Sequence, residues 1–290
     1  MNIEIDIHTS TKGTKLIEGD RIEQTVVAAI RKSFDLRSYK VGLFLVEPAN
    51  PNPRSESSLV SLRRKMRLAN ELGILKQARV FPYNTPLEEF NQAIDEINKS
   101  SDIAGVIVQL PLPQHLLPSR YNIDLQKDID SINPENDIWR ICATAEATMR
   151  LLIAYQNNIK KIALLGARGF VGRHIGKGIQ RSQLGNLTQI EYDDSLSLLK
   201  YCDTIISAVG QPNLIQADNL GKNTDFGIDV GNTRVNNEFK GDFDYKSIDG
   251  LFKYLTPVPG GMGPLEMVIV AERLVRNAIQ PDFKVNLLAK

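Results

Sequence analysis

The chain has 290 residues, 42% of them hydrophobic and 24% charged; that is long for one domain, comfortable for two, and sufficient for ordinary cores. A formal net charge of +1 argues against nucleic acid or an anionic membrane as the main partner, and the short basic run Arg63, Arg64, Lys65 and Arg67 falls well short of a nucleic-acid footprint. The two cysteines, Cys142 and Cys202, are far apart and the three histidines lack metal-ligand spacing, so neither a metal site nor a disulfide framework is expected, and reduced thiols fit the cytosol.

The amino terminus alternates acidic and apolar residues and does not read as a secretory signal. No run approaches the about 18 consecutive apolar residues needed to span a bilayer. Residues 41–46, 78–81 and 105–110 read as buried strands, and 57–72 and 86–98 as the helices between them. Residues 111–137 hold three prolines and little periodicity, which predicts a long active-site loop. A helix at 145–155 precedes a second alternation. Strand 160–165, helix 171–183, strand 188–192, a short helix at 195–201, and strands 204–209 and 225–230 follow in turn. The last helix, 264–278, is apolar along one face. Such alternation predicts an α/β chain with parallel strands and crossover helices.

The segment Gly166-Ala167-Arg168-Gly169-Phe170-Val171-Gly172 joins an apolar strand to a helical pattern. Glycines there let backbone N–H groups approach a pyrophosphate, and the helix N-terminus supplies partial positive charge. On spacing alone, a tight strand–helix turn in any α/β protein reads the same way. Glu191 and Asp193 fall about where such a fold places the acid that binds the adenosine ribose, and carboxylates there repel a 2′-phosphate. Two further strands end in Val209-Gly210 and Gly231-Asn232, at carboxyl ends where this fold binds ligands. The expected cofactor contacts are therefore Gly166, Ala167, Arg168, Val171, Gly172, Asp193, Val209, Gly210 and Asn232.

Four other segments carry chemistry. Ser61 and Lys65 lie one helical turn apart on one face. Gln109 ends a buried strand within Val108-Gln109-Leu110-Pro111-Leu112-Pro113. Lys127-Asp128-Ile129-Asp130 places an acid, Asp130, in the long loop. Thr256-Pro257-Val258-Pro259-Gly260-Gly261 is a rigid, side-chain-poor entry to the last helix. Read singly, Lys65 is a solvated lysine, Gln109 starts a turn and Asp130 caps one. Together, and in register from about Leu16-Ile17-Glu18-Gly19 to the last helix, they closely resemble the bifunctional methylenetetrahydrofolate dehydrogenase/methenyltetrahydrofolate cyclohydrolase family.

The resemblance implies a two-domain α/β fold. Residues 1–139 would form a folate-binding catalytic domain, completed by a C-terminal helix (265–290) packing back on it. Residues 140–264 would form a Rossmann-like NAD(P)-binding domain. It implies oxidation of 5,10-methylenetetrahydrofolate with NAD(P), leaning to NAD because of the acids, and then hydrolysis to 10-formyltetrahydrofolate. It also implies a cytoplasmic homodimer of one-carbon metabolism, serving purine biosynthesis among other routes. Lys65 would move protons in the hydrolysis, Gln109 would tune it and Asp130 would grip the pterin, desolvation favouring a neutral lysine. Ser61, Pro259, Gly260 and Gly261 would line the folate cleft.

The chain departs from the family pattern at several positions. Ser61 stands in place of a tyrosine, Ser131 in place of the glycine after Asp130, and Ala143-Thr144-Ala145 in place of a Pro-Cys-Thr-Pro segment. Leu265-Glu266 replaces Met-Thr, and Asp193 aligns with an arginine that meets a 2′-phosphate. Two alternatives stay open on the sequence: a non-catalytic folate- or nucleotide-binding descendant, and an unrelated two-domain dehydrogenase.

Overall fold

The computed structural model describes residues 1–50, 53–236 and 238–289. Strands β1 (Asn2–Glu4), β2 (Ile7–Thr9) and β3 (Lys15–Ile17) lead into helix α1 (Gly19–Ser33). Then β4 (Lys40–Val46), α2 (Pro53–Leu72), β5 (Leu75–Phe81), α3 (Leu87–Lys99) and β6 (Ile103–Gln109) alternate. After α4 (Ala143–Ala154) come β7 (Lys161–Leu165), α5 (Phe170–Ser182), β8 (Asn186–Ile190), β9 (Thr204–Ser207) and β10 (Phe226–Asp229). The chain closes with β11 (Thr233–Val235), β12 (Glu238–Lys240), α6 (Tyr245–Ile248), β13 (Tyr254–Leu255), α7 (Met262–Ala278) and β14 (Asn286–Leu288).

These elements form two compact units. One comprises residues 25–143 and 267–284; the other comprises 1–24, 144–266 and 285–290. The partition differs from a first domain beginning at residue 1. Strand β2 pairs antiparallel with β3, and β3 pairs parallel with β13, so these two strands extend the seven-stranded sheet, while β1 pairs with β14 in a separate ribbon of the same unit. Strands of two or three residues carry too little periodicity to reveal this from sequence.

In the unit holding residues 25–143, a parallel sheet runs β5-β4-β6. Strands β4 and β6 are buried almost throughout, as expected of a parallel sheet covered on both faces, whereas β5 alternates and is an edge. Phe44, Phe81 and Phe90 meet edge to face in its core, with centroids 4.9–6.0 Å apart. The expected loop at 111–137 is not structureless: residues 114–122 form 3-10 turns.

In the other unit, seven strands run β2-β3-β13-β10-β9-β7-β8, parallel except for β2. Chain order reverses at β7, between β8 and β9. The carboxyl ends of β7 and β9 therefore flank the crevice where open α/β sheets bind ligands. Among the described residues, no helix is long and apolar enough to cross a membrane.

Candidate active site

Helix α2 turns Leu62, Leu68, Ala69 and Leu72 into the core. Lys65 lies three residues from both Leu62 and Leu68, so it shares that buried stripe, and it is 3% exposed. The neighbouring Arg63 and Arg67 are exposed. Lys65 is thus not the solvated lysine its basic surroundings suggest. A buried ammonium needs partners, and two converge on it: Lys65 Nζ lies 3.2 Å from Gln109 Oε1 and 3.2 Å from Asp130 Oδ2. Gln109 comes from the last residue of β6 and Asp130 from the loop beyond it. The three expected catalytic residues are therefore brought together within one unit. The Asp130 side chain keeps 15% exposure, and its Oδ1 accepts from the Ala143 N–H at 3.3 Å.

Sequence reasoning passed over Asp128, which shapes this loop from inside. Its carboxylate accepts from the N–H groups of Ile132 (3.1 Å) and Asn133 (2.8 Å) and from the Asn136 amide (3.2 Å). Burial pushes the Asp128 carboxyl up to about 6, against those hydrogen bonds and with the Asp130 charge adding to the rise. The sequence signal is an apolar residue between two acids in a proline-rich loop, Asp128-Ile129-Asp130, and the structure shows Ile129 fully buried there.

Ser61 is half-buried on α2. Beside this helix lies a cavity of about 410 Å³ walled by Ser58, Leu59, Tyr83, Leu110, Pro111 and Leu112, among others. Ser58 Oγ donates to the Leu110 carbonyl at 2.8 Å, tying α2 to the residue after Gln109.

In the second unit the glycine turn is sterically obligatory. Gly166 has φ +76° and packs so closely that a Cβ there would lie 2.8 Å from the Ala208 carbonyl. A Cβ on Gly172 would lie 2.1 Å from the Gly166 carbonyl oxygen. Gly169 caps the 13-residue α5, whose first turn begins at Phe170. Ala167 is buried, Val171 half-buried and Arg168 exposed. Arg168 Nε lies 4.0 Å from Glu191 Oε1, so Glu191 is the acid turned toward the glycine turn, while Asp193 is exposed.

The strand-end residues behave differently from a simple cradle. Asp242 is 1% exposed and gathers the β9 loop beneath it. Its Oδ2 accepts from Ser207 Oγ (2.6 Å), Val209 N–H (2.9 Å) and Gly210 N–H (3.2 Å), and its Oδ1 from Gln211 N–H (2.8 Å). The amides of Val209 and Gly210 thus face inward. Asp229 lies alongside and accepts from Gly231, Asp242 and Phe243 N–H groups at 3.0–3.1 Å. Burial, reinforced by the Asp242 charge, raises its carboxyl well above the usual range. Asn232 is half-buried after this strand. Pro259 is exposed, Gly260 half-buried and Gly261 buried; a Cβ on Gly19 would lie 2.2 Å from the Gly261 carbonyl oxygen. That close approach pairs the Leu16–Gly19 segment with the proline–glycine loop. Among the described residues, no group of three or more His, Cys, Asp or Glu side chains is placed to hold a metal ion.

A parallel sheet with a glycine turn at its crevice, together with a buried lysine held by an amide and a carboxylate, defines a two-unit α/β enzyme with a dinucleotide site. Comparison with known proteins makes the class specific. Residues 17–138 match the tetrahydrofolate dehydrogenase/cyclohydrolase catalytic domain, and residues 142–281 match the NAD(P)-binding domain of the same family. A "Bifunctional protein FolD" of Lactobacillus acidophilus is 32% identical over 233 residues, 76% of this chain and 82% of that one. Another, from Wolbachia sp. subsp. Drosophila simulans, is 29% identical over 276 residues, 89% and 92% of the two chains. The solved bifunctional FolD methylenetetrahydrofolate dehydrogenase/cyclohydrolase from Campylobacter jejuni is 26% identical, with TM-score 0.78, over 90% of this chain and 97% of that one. The chain belongs to the bifunctional tetrahydrofolate dehydrogenase/cyclohydrolase family. It is an enzyme of folate one-carbon metabolism with an NAD(P)-binding domain, and the unrelated-dehydrogenase alternative is set aside.

Proposed function

We propose that the chain oxidises 5,10-methylenetetrahydrofolate to the 5,10-methenyl cation and hydrolyses that cation to 10-formyltetrahydrofolate, with Lys65 as the proton carrier of the second step. One observation carries this reading: Lys65 is buried in the apolar stripe of α2, yet 3.2 Å from both Gln109 and Asp130. The glycine turn fits the dinucleotide, because Gly166 and Gly172 leave the space that a Cβ would close. A dinucleotide held by this turn would supply the hydride acceptor for the methylene carbon. The protein's share of that step is alignment, since the flanking nitrogens stabilise the cation.

Hydrolysis needs proton transfers. Water adds to the methenyl carbon and loses one proton to give a hydroxyl adduct; the remaining hydroxyl proton is lost as the formyl C=O forms, and a ring nitrogen is protonated as the C–N bond breaks. Lys65 Nζ is positioned to shuttle that proton, with Gln109 orienting it and Asp130 holding the N–H edge of the pterin. Tyr83 supplies an aromatic wall to the cavity beside Leu110-Pro111, and it is the aromatic side chain we assign to compensate for Ser61, which is too short to stack on the pterin. The family resemblance adds Pro259, Gly260 and Gly261 as further folate-lining residues.

The preferred cofactor is NAD. Glu191 is the half-buried acid nearest the glycine turn, with Asp193 beyond it, and a carboxylate there accepts from ribose hydroxyls but repels a 2′-phosphate. Purified protein given 5,10-methylenetetrahydrofolate and each cofactor is expected to turn over NAD with at least about tenfold higher kcat/KM. Glu191→Ala should narrow that ratio. Higher efficiency with NADP would overturn the preference, and silence with both cofactors would overturn the reaction.

The enzyme acts as a cytoplasmic homodimer, its product available to purine biosynthesis. Strand β5 is an open sheet edge with Leu75 and Val80 more than half exposed. Sedimentation at micromolar concentration is expected to give twice the chain mass, and a monomer would contradict this assignment.

A further inference from the structure

Arg273 is fully buried on α7 and has the largest side chain of the fully buried set. Its guanidinium spans two carbonyls that are distant in sequence: Nη1 donates to Ile129 O at 2.7 Å and Nη2 to Ile141 O at 2.9 Å. The Ile129 carbonyl belongs to the peptide whose nitrogen is that of Asp130. The Ile141 carbonyl lies two residues before Ala143, whose N–H donates to Asp130 Oδ1. One planar fork therefore fixes both the backbone that carries Asp130 and the strand of chain whose amide turns its carboxylate. With Oδ1 engaged in this way, Oδ2 is left toward Lys65 Nζ. The indole of Trp139 closes the arrangement. The guanidinium carbons of Arg273 and Arg276 lie 5.0 and 4.9 Å from its ring, and its Nε1 donates to the Gln126 carbonyl at 3.3 Å.

We infer that Arg273, clamped on Trp139, is a positioning residue for Asp130, setting the carboxylate that holds Lys65 and the folate. The inference rests on the proposed role of Asp130. A fork that bridges two carbonyls is a geometry that lysine cannot reproduce, so Arg273→Lys keeps the charge and removes the bridge.

The test is a double-mutant cycle with Asp130→Asn, read in two ways: calorimetric binding of 5-formyltetrahydrofolate, and hydrolysis of supplied 5,10-methenyltetrahydrofolate across pH. Arg273→Lys is expected to weaken folate binding about tenfold, lower hydrolysis similarly and displace its pH profile. In the Asp130→Asn background it should add less than about twofold to either loss. Additive losses, or losses without a displaced pH profile, would overturn the inference in favour of a general packing role. If Arg273→Lys does not fold, Trp139→Phe gives the second reading. It keeps a ring but drops the indole N–H bond, and it should weaken folate binding in the same direction by about threefold, again not additively with Asp130→Asn; no change would overturn the inference. A wild-type protein that binds folate but does not hydrolyse the methenyl form contradicts the proposed reaction, and the binding cycle still decides the role of Arg273.

Discussion

Lys65→Met is expected to slow methenyltetrahydrofolate hydrolysis by at least about a hundredfold while leaving hydride transfer within about tenfold of the wild type. Methionine matches the lysine stem in length and stays apolar, so the α2 stripe of Leu62, Leu68 and Ala69 keeps its packing. Only the ammonium is lost. Asp130 does not collapse, because the Ala143 N–H holds its other oxygen. Hydride transfer needs alignment of two bound rings and no proton, so it tolerates the change. The two rates separate cleanly: decay of methenyl absorbance for hydrolysis, and growth of reduced cofactor for the dehydrogenase. Equal and complete loss of both would show that Lys65 binds substrate or supports the fold, and would end its assignment as proton carrier.

Asp242→Ala is expected to abolish cofactor-dependent oxidation and to lower the melting temperature by roughly 10 °C. The carboxylate is nearly inaccessible and accepts from one hydroxyl and three backbone amides of the loop after β9. Hydrogen bonds to a charged group contribute about 1.5–3 kcal/mol each, and an orphaned buried amide costs about 1–3 kcal/mol. Even with water entering the gap, the net loss should reach about 3 kcal/mol. The Val209 and Gly210 amides would then be free to turn outward, and the crevice at β7 and β9 would lose its shape. Hydrolysis of supplied methenyltetrahydrofolate, whose lysine, glutamine and aspartate lie in the other unit, should persist below the melting temperature. An unchanged melting curve together with unchanged dinucleotide affinity would contradict this account.

Much of the candidate site was legible because its residues sit where local pattern speaks. The three glycines of the β7–α5 turn stand between a four-residue apolar strand and a helical periodicity, and each of those signals is local. Gln109 ends a buried run, which fixes it at a strand exit. The family register selected Lys65 and Asp130 from their surroundings, and the geometry joins them. Composition alone did not: Lys65 lies among arginines, and only helical phase relative to Leu62 and Leu68 shows that it faces inward.

Other features depend on contacts between distant parts of the chain. Strand β3 pairs with β13 more than two hundred residues away, and neither strand is long enough to carry a period. Asp242 and Arg273 serve carbonyls and amides that no sequence pattern assigns to them, since any buried backbone group must find a partner and the tertiary fold decides which side chain arrives. The alternating α/β elements and the glycine turn follow from the sequence, because periodicity and glycine requirements are properties of neighbouring residues, and the family register named Lys65, Gln109 and Asp130 as candidates. The tertiary structure decided that β2 and β3 join the seven-stranded sheet and that Lys65 is buried against Asp130. It also decided which buried groups hold the two loops in place, because pairing and desolvation are set by residues far apart in the chain.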